Sequence, residues 1–192
     1  MRDVVERLGK WWRNKRPLAL DDLAPGVTDA TLAAYEEQLG VTLPDGLRAL
    51  YRWRNGPLTG LTGRCLIGRY ALMSLWQVNA NQRAANDLLD PGAIKSGKPC
   101  LPVFSKGTGD FICWDPGGSF GGEKGQMLEL SRAHRTLLAP SFDGFLTAYV
   151  DSLEAGVWTY DHEHGLDDDG RFASFLAERF PGYPRRAIDV YD

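Results

Sequence analysis

Little in this 192-residue chain supplies chemistry of its own. Only three cysteines occur, Cys65, Cys100 and Cys113, and no two form a Cys-x-x-Cys pair, which removes the common zinc and redox motifs. They read as reduced, buried thiols, because a free cysteine behaves as a small hydrophobe. No apolar run reaches about 18 residues, so no transmembrane helix is expected. The opening MRDVVERLGKWW has no apolar core of the kind a secretory signal carries, so a cytoplasmic protein is expected. No Gly-x-Ser-x-Gly elbow is present, and none of the three histidines stands near a cysteine in sequence. Excess positive charge is missing too. The net charge of −3 argues against a nucleic-acid binder, whose domains are usually strongly basic.

What is present is the composition of a globular domain, 43% apolar and 24% charged. A chain of this length buries roughly 70% of its unfolded surface and needs no metal or disulfide staple. Its charge is unevenly spread. Residues 1–16 carry six Lys/Arg against Asp3 and Glu6, whereas residues 158–192 carry eight Asp/Glu against four Arg. Val4, Val5, Leu8, Trp11 and Trp12 recur at helical spacing and predict a basic amphipathic helix over 1–16. A second helix is predicted from Thr28 to Gly40, and a third from Pro44 to Asn55-Gly56. CLIGRYALM (65–73) reads as one strand or as two broken at Gly68, and residues 72–90 as a helix. LPVFS (101–105), DFICWD (110–115) and QMLELS (126–131) read as strands of an antiparallel meander. Helices are predicted at 141–156, capped by Ser141, and at 171–180.

GTGDFICWDPGGSFGGEKGQ (107–126) holds seven glycines and a lysine, the ingredients of a phosphate cradle. Counted from Gly117, the second glycine of a Walker loop falls on Gly122, but Glu123 stands where the lysine belongs. Lys124 comes one position late and is followed by Gly125 instead of Ser or Thr. Gly107-Thr108-Gly109 runs into strand-like residues, so no helix N-terminus faces a ligand. The glycines read as turns.

DHEHGLDDDG (161–170) places His162 and His164 among five acids, all metal-ligand types, but not in the order of an EF-hand loop. A solvated acidic loop is expected, with no metal. His134 reads as a surface residue, and Glu36-Glu37 and Asp21-Asp22 as solvated charge.

PGVTDATLAAYEEQLGVTLPDGLRALYRWRNG (25–56) resembles the opening of the SUKH superfamily, the Smi/Knr-type domains of bacterial toxin-immunity proteins and of a fungal cell-wall synthesis regulator. Glu36, Leu39, Gly40, Leu43, Pro44, Tyr51, Asn55 and Gly56 carry that likeness. LPVFSKGTGDFICWDPGGSFGGEKGQMLEL is similar to the paired strands of the same superfamily, and 138–158 to its closing helix. The resemblance implies an α+β fold: a single SUKH-like domain over 17–158, with helices around an antiparallel sheet. It is preceded here by the helix 1–16 and followed by an acidic extension, 159–192, with a short helix.

The resemblance implies no enzymatic role and no cofactor. It implies a cytoplasmic immunity protein whose partner is a cognate protein toxin, a basic nuclease or deaminase domain, with no nucleic acid, membrane or small-molecule substrate. A scaffold or regulatory module unconnected to a toxin is the alternative, and a metal-dependent binder a third. The acidic balance suits a basic partner, since complementary charge speeds encounter and sets register. Trp158, Tyr160, Asp161, Glu163, Asp167, Asp168 and Asp169 are the expected partner-binding residues.

Overall fold

The computed structural model of the chain describes residues 1–15, 20–58, 65–89, 99–161 and 165–189. It is an α+β fold in which helices pack on a seven-stranded antiparallel sheet.

Helix α1 (Arg2–Lys15) buries Val5, Leu8, Gly9 and Trp12, the face its spacing predicts. It lies against α3 (Asp45–Trp53) and α5 (Phe142–Glu154). Helix α2 (Asp29–Leu39) starts where Thr28 Oγ1 accepts the Thr31 N–H at 3.2 Å. It stops at Gly40, whose φ of +62° lets its N–H turn back onto the Glu36 and Glu37 carbonyls. Glu36 is not solvated as expected. Its carboxylate accepts the Leu43 N–H at 2.8 Å and pairs with Arg48, so it clamps α2 to the start of α3. Pro44 is extended and precedes α3 instead of opening it.

Helix α3 ends at Trp53, before Asn55-Gly56. Those two residues instead lie in a strand, β2 (Arg54–Pro57), paired with β1 (Leu23–Pro25). Asn55 Oδ1 accepts the Leu75 N–H at 3.0 Å and so helps start α4 (Leu75–Asp87). Ser74 and Gln77 complete a reciprocal capping box there, at 3.2 and 2.8 Å.

The seven-stranded sheet runs in the order β11-β8-β7-β6-β5-β4-β3. CLIGRYALM does break at Gly68, giving β3 (Cys65–Ile67) and β4 (Tyr70–Leu72). β5 (Leu101–Ser105), β6 (Phe111–Asp115) and β7 (Gln126–Leu130) form the expected meander. β8 (His134–Ala139) and β11 (Arg185–Asp189) extend it on one side, and neither is evident in the sequence. β9 (Thr159–Asp161) pairs with β10 (Gly165–Asp167) as a separate hairpin that touches β3. Helix α6 (Arg171–Arg179) packs on α5. Residues 1–15 and 165–180 thus contribute Leu8, Trp12, Leu166, Phe172 and Leu176 to the same apolar core as the meander.

The Gly-rich stretch is folded on itself. Gly107 and Gly109, at φ of +79° and +93°, shape a turn closed by Lys106 N–H on the Asp110 carbonyl. Beyond β6, the fully buried Asp115 carboxylate accepts Gly117 N–H at 3.0 Å, Ser119 N–H at 2.6 Å and Gln126 Nε2 at 2.8 Å. Two of the amides that would cradle a phosphate are turned inward onto the chain's own carboxylate.

Candidate interaction cleft

A cleft of about 310 Å3 opens between the sheet, helices α5 and α6, and the β9–β10 hairpin. Its wall is apolar, formed by Ile67, Ile112, Leu138, Phe145, Trp158 and Phe172. Its polar side carries Tyr70, Lys106, Glu129, Asp167 and Asp168, with Arg69 at the edge.

Trp158 stands at the junction of these parts. Its indole donates to Ser152 Oγ at 2.8 Å, and its ring packs edge-on against Tyr149 and beside Phe172 at 5.2 Å. It is only 7% exposed, so it presents an edge to the cleft and not a free face. A methyl group at Gly68 would sit 3.4 Å from that ring, in ordinary contact, so the β3–β4 turn lies directly against Trp158.

The polar side is organised by Glu129. Strand β7 is buried at every other position, yet Glu129 stays half-buried because its carboxylate has partners. Tyr70 donates to Oε1 at 2.5 Å, His134 Nε2 lies 3.5 Å from Oε2, and Lys106 Nζ lies 3.8 Å from Oε1. The same ammonium is 3.8 Å from Asp110 and 4.6 Å above the Tyr70 ring. Burial, then the nearby Glu129 charge, pushes the Tyr70 hydroxyl far above its ordinary range, so it remains a donor. His134 is therefore a member of this cluster at the head of β8, where the sequence shows only an isolated surface histidine.

Across the cleft, Asp168 holds the first turn of α6. Its carboxylate accepts Phe172 N–H at 2.8 Å and its carbonyl accepts Arg171 N–H at 2.9 Å. Asp167 accepts the Asp169 N–H at 3.3 Å, and both side chains are exposed. Tyr160 is partly buried against the core. Asp161 belongs to β9, but its side chain lies outside the described residues, as do Glu163, His162 and His164. Of the expected partner-binding residues, Trp158, Asp167 and Asp168 therefore line one cleft, with Asp169 beside them.

Tyr70, Lys106 and Glu129 escaped the sequence reading. One signal for Glu129 was there: a lone acid inside the apolar run QMLEL.

Among the described residues no group of three His, Cys, Asp or Glu is placed to hold a metal ion, and no helix is long and apolar enough to cross a membrane. The larger groove, about 780 Å3 between α1 and α3, is rimmed by arginines and acids that partly pair with each other, as in Arg52–Asp29 at 2.5 Å and Arg2–Glu6 at 3.4 Å.

The profile of the SMI1 / KNR4 family (SUKH-1) matches residues 26–148, more than half of the chain. The chain belongs to the SMI1/KNR4 family. Its members are in general non-enzymatic immunity or regulatory proteins, so at that level this SUKH chain is a toxin-immunity or Smi1/Knr4-type protein-interaction module. No curated protein matches it. The matched residues include α2 to α4 and the meander, but neither α1 nor the segment from β9 to β11. The cleft is thus built half from the family domain and half from the acidic segment that follows it.

Proposed function

We propose that this SUKH chain is an immunity protein that binds a cognate toxin in the cytoplasm and holds it inactive by covering its working surface. The observation that carries the reading is the cleft: an aromatic-walled recess with an acidic rim, in a family of protein-binding modules. Interface cores favour Trp and Tyr anchors, and opposite charge at the rim guides encounter. The partner that fits is a protein with a basic surface, as a nuclease or deaminase domain presents to its substrate. Trp158 and Tyr160 would support the site, Asp167, Asp168 and Asp169 would supply its acidic rim, and Asp161 and Glu163 are further expected partner-binding residues.

Co-expression with the protein encoded beside this gene tests the reading. Rescue of growth from a toxic neighbour, with co-purification of the two chains, supports it. A neighbour that is harmless alone, or that stays toxic beside this chain, refutes it for that pair.

The scaffold reading has one observation of its own. Trp76, at the start of α4, is 76% exposed beside a groove formed with Ala30 and Ala34 of α2. A module that joins two proteins uses two such surfaces.

A further inference from the structure

We infer that the cleft is the seat for one basic side chain of the protein partner, an arginine or a lysine, with its stem in the apolar throat and its head at Glu129. The inference rests on the interaction reading above and adds to it the chemistry of the contact.

The charge of the cleft favours a cation. Among the described residues, Glu129, Asp167 and Asp168 line the cleft against Lys106 and Arg69, and next to it Asp110 and Asp169 stand against Arg171, whose Nε donates to the Asp168 carbonyl at 3.0 Å. A carboxylate arriving here meets net repulsion, whereas a cation meets attraction.

The acceptor capacity of Glu129 also favours a cation. An ionised carboxylate offers about four lone-pair sites. Glu129 spends one on Tyr70, while Lys106 and His134 lie beyond ordinary hydrogen-bond length, at 3.8 and 3.5 Å. The Glu129 side chain is 21% exposed, so it is held in place yet reachable from the cleft.

The shape and surface of the cleft agree. The cleft lies near the lower limit of small-ligand pockets, about 300 Å3, which suits a single long side chain. Ile67, Ile112 and Leu138 give the aliphatic contact that a lysine or arginine stem buries while its head stays polar. On the polar side the chain already holds a cation against an aromatic face, with Lys106 over Tyr70. An uncharged apolar side chain would fill the throat but shut Glu129 from water with nothing in exchange.

Capped Gly-Xaa-Gly peptides, with Xaa as Arg, Lys, Leu or Glu, titrated into the full chain and followed by amide and indole NMR, test this directly. The Arg and Lys peptides should move the Trp158 indole and the Leu166 and Phe172 amides. Glu129→Gln keeps an acceptor for Tyr70 and should weaken that binding about fivefold or more. Asp167→Asn, at an exposed position, should weaken it with the fold intact. No shift with the Arg peptide, equal shifts with the Leu or Glu peptide, or affinity unchanged in both variants would overturn the inference. Binding of a cognate partner separates it from the functional reading. A partner held equally by wild type, Glu129→Gln and Asp167→Asn leaves the immunity reading standing and removes this one.

Discussion

Asp115 is the residue whose loss the fold would feel most directly among the charged groups. It is fully buried and accepts two backbone amides and the Gln126 side chain, and those bonds give the glycine-rich connection its shape. Asp115→Asn removes the charge from these bonds and offers a donor where acceptors are needed. It should lower stability by about 2 kcal/mol, read as a shift of the urea midpoint at unchanged slope. Gly68 is the second such position. Its φ of +54° is a backbone conformation that a β-branched side chain rarely adopts, and a Cβ there would already touch the Trp158 ring at 3.4 Å. Gly68→Val should destabilise by about 1–3 kcal/mol and move the Trp158 indole resonance. At this scale the sequence reading reached only part of the site. Asp167, Asp168 and Trp158 stand out by local composition, whereas Tyr70 lies in β4, Lys106 in the turn after β5 and Glu129 in β7. Their meeting depends on sheet register, which no single stretch reveals.

Helix α1 shows how an element outside the family match becomes part of the fold. Trp12 is almost wholly buried, and Arg7 reaches α5, with Nη2 2.7 Å from Asp151 and 2.5 Å from Glu154. Trp12→Ala should cost about 3–5 kcal/mol, through lost burial and the cavity left behind. The ion pairs contribute far less, because these groups are partly exposed. Burial pulls Asp151 upward, but hydrogen bonds from Arg7 and Arg179 outweigh it and hold its carboxyl below the ordinary value. Arg7 does the same to Glu154. A carboxylate depressed in the folded state contributes stability above its unfolded pKa, and that contribution fades as pH falls through the folded value. Stability should therefore decline from about pH 5 downward. Arg7→Ala should remove part of that decline, under about 1 kcal/mol, in denaturant titrations at pH 7 and pH 3. Helices with strong periodicity and caps, such as those from Thr28 and Ser141, were legible in sequence for this reason: their cause is local. β1–β2, β8 and β11 were not, because three- to six-residue strands with charged members form only when a distant partner supplies the hydrogen bonds.

Taken whole, charge is unevenly placed along the chain: α1 is rich in Lys and Arg and the segment after residue 158 in Asp and Glu, and both contribute to one core. Association with a basic partner through the cleft should slow as salt rises from about 0.05 to 0.5 M, because the Debye length shrinks over that range. A stopped-flow on-rate insensitive to salt would count against charge as the guide. β11 also matters at this scale, since it covers the outer edge of β8. The core thiols bring a different consequence. Cys100 and Cys113 are buried and their thiols are pushed up by that burial, while Cys65 in β3 is partly exposed, two residues from Ile67 of the cleft. A thiol reagent should therefore modify one position in the native protein and all three once it is unfolded. Evolution has left a single attachment point for a fluorophore beside the proposed docking site, so the wild-type chain can report the arrival of its own partner.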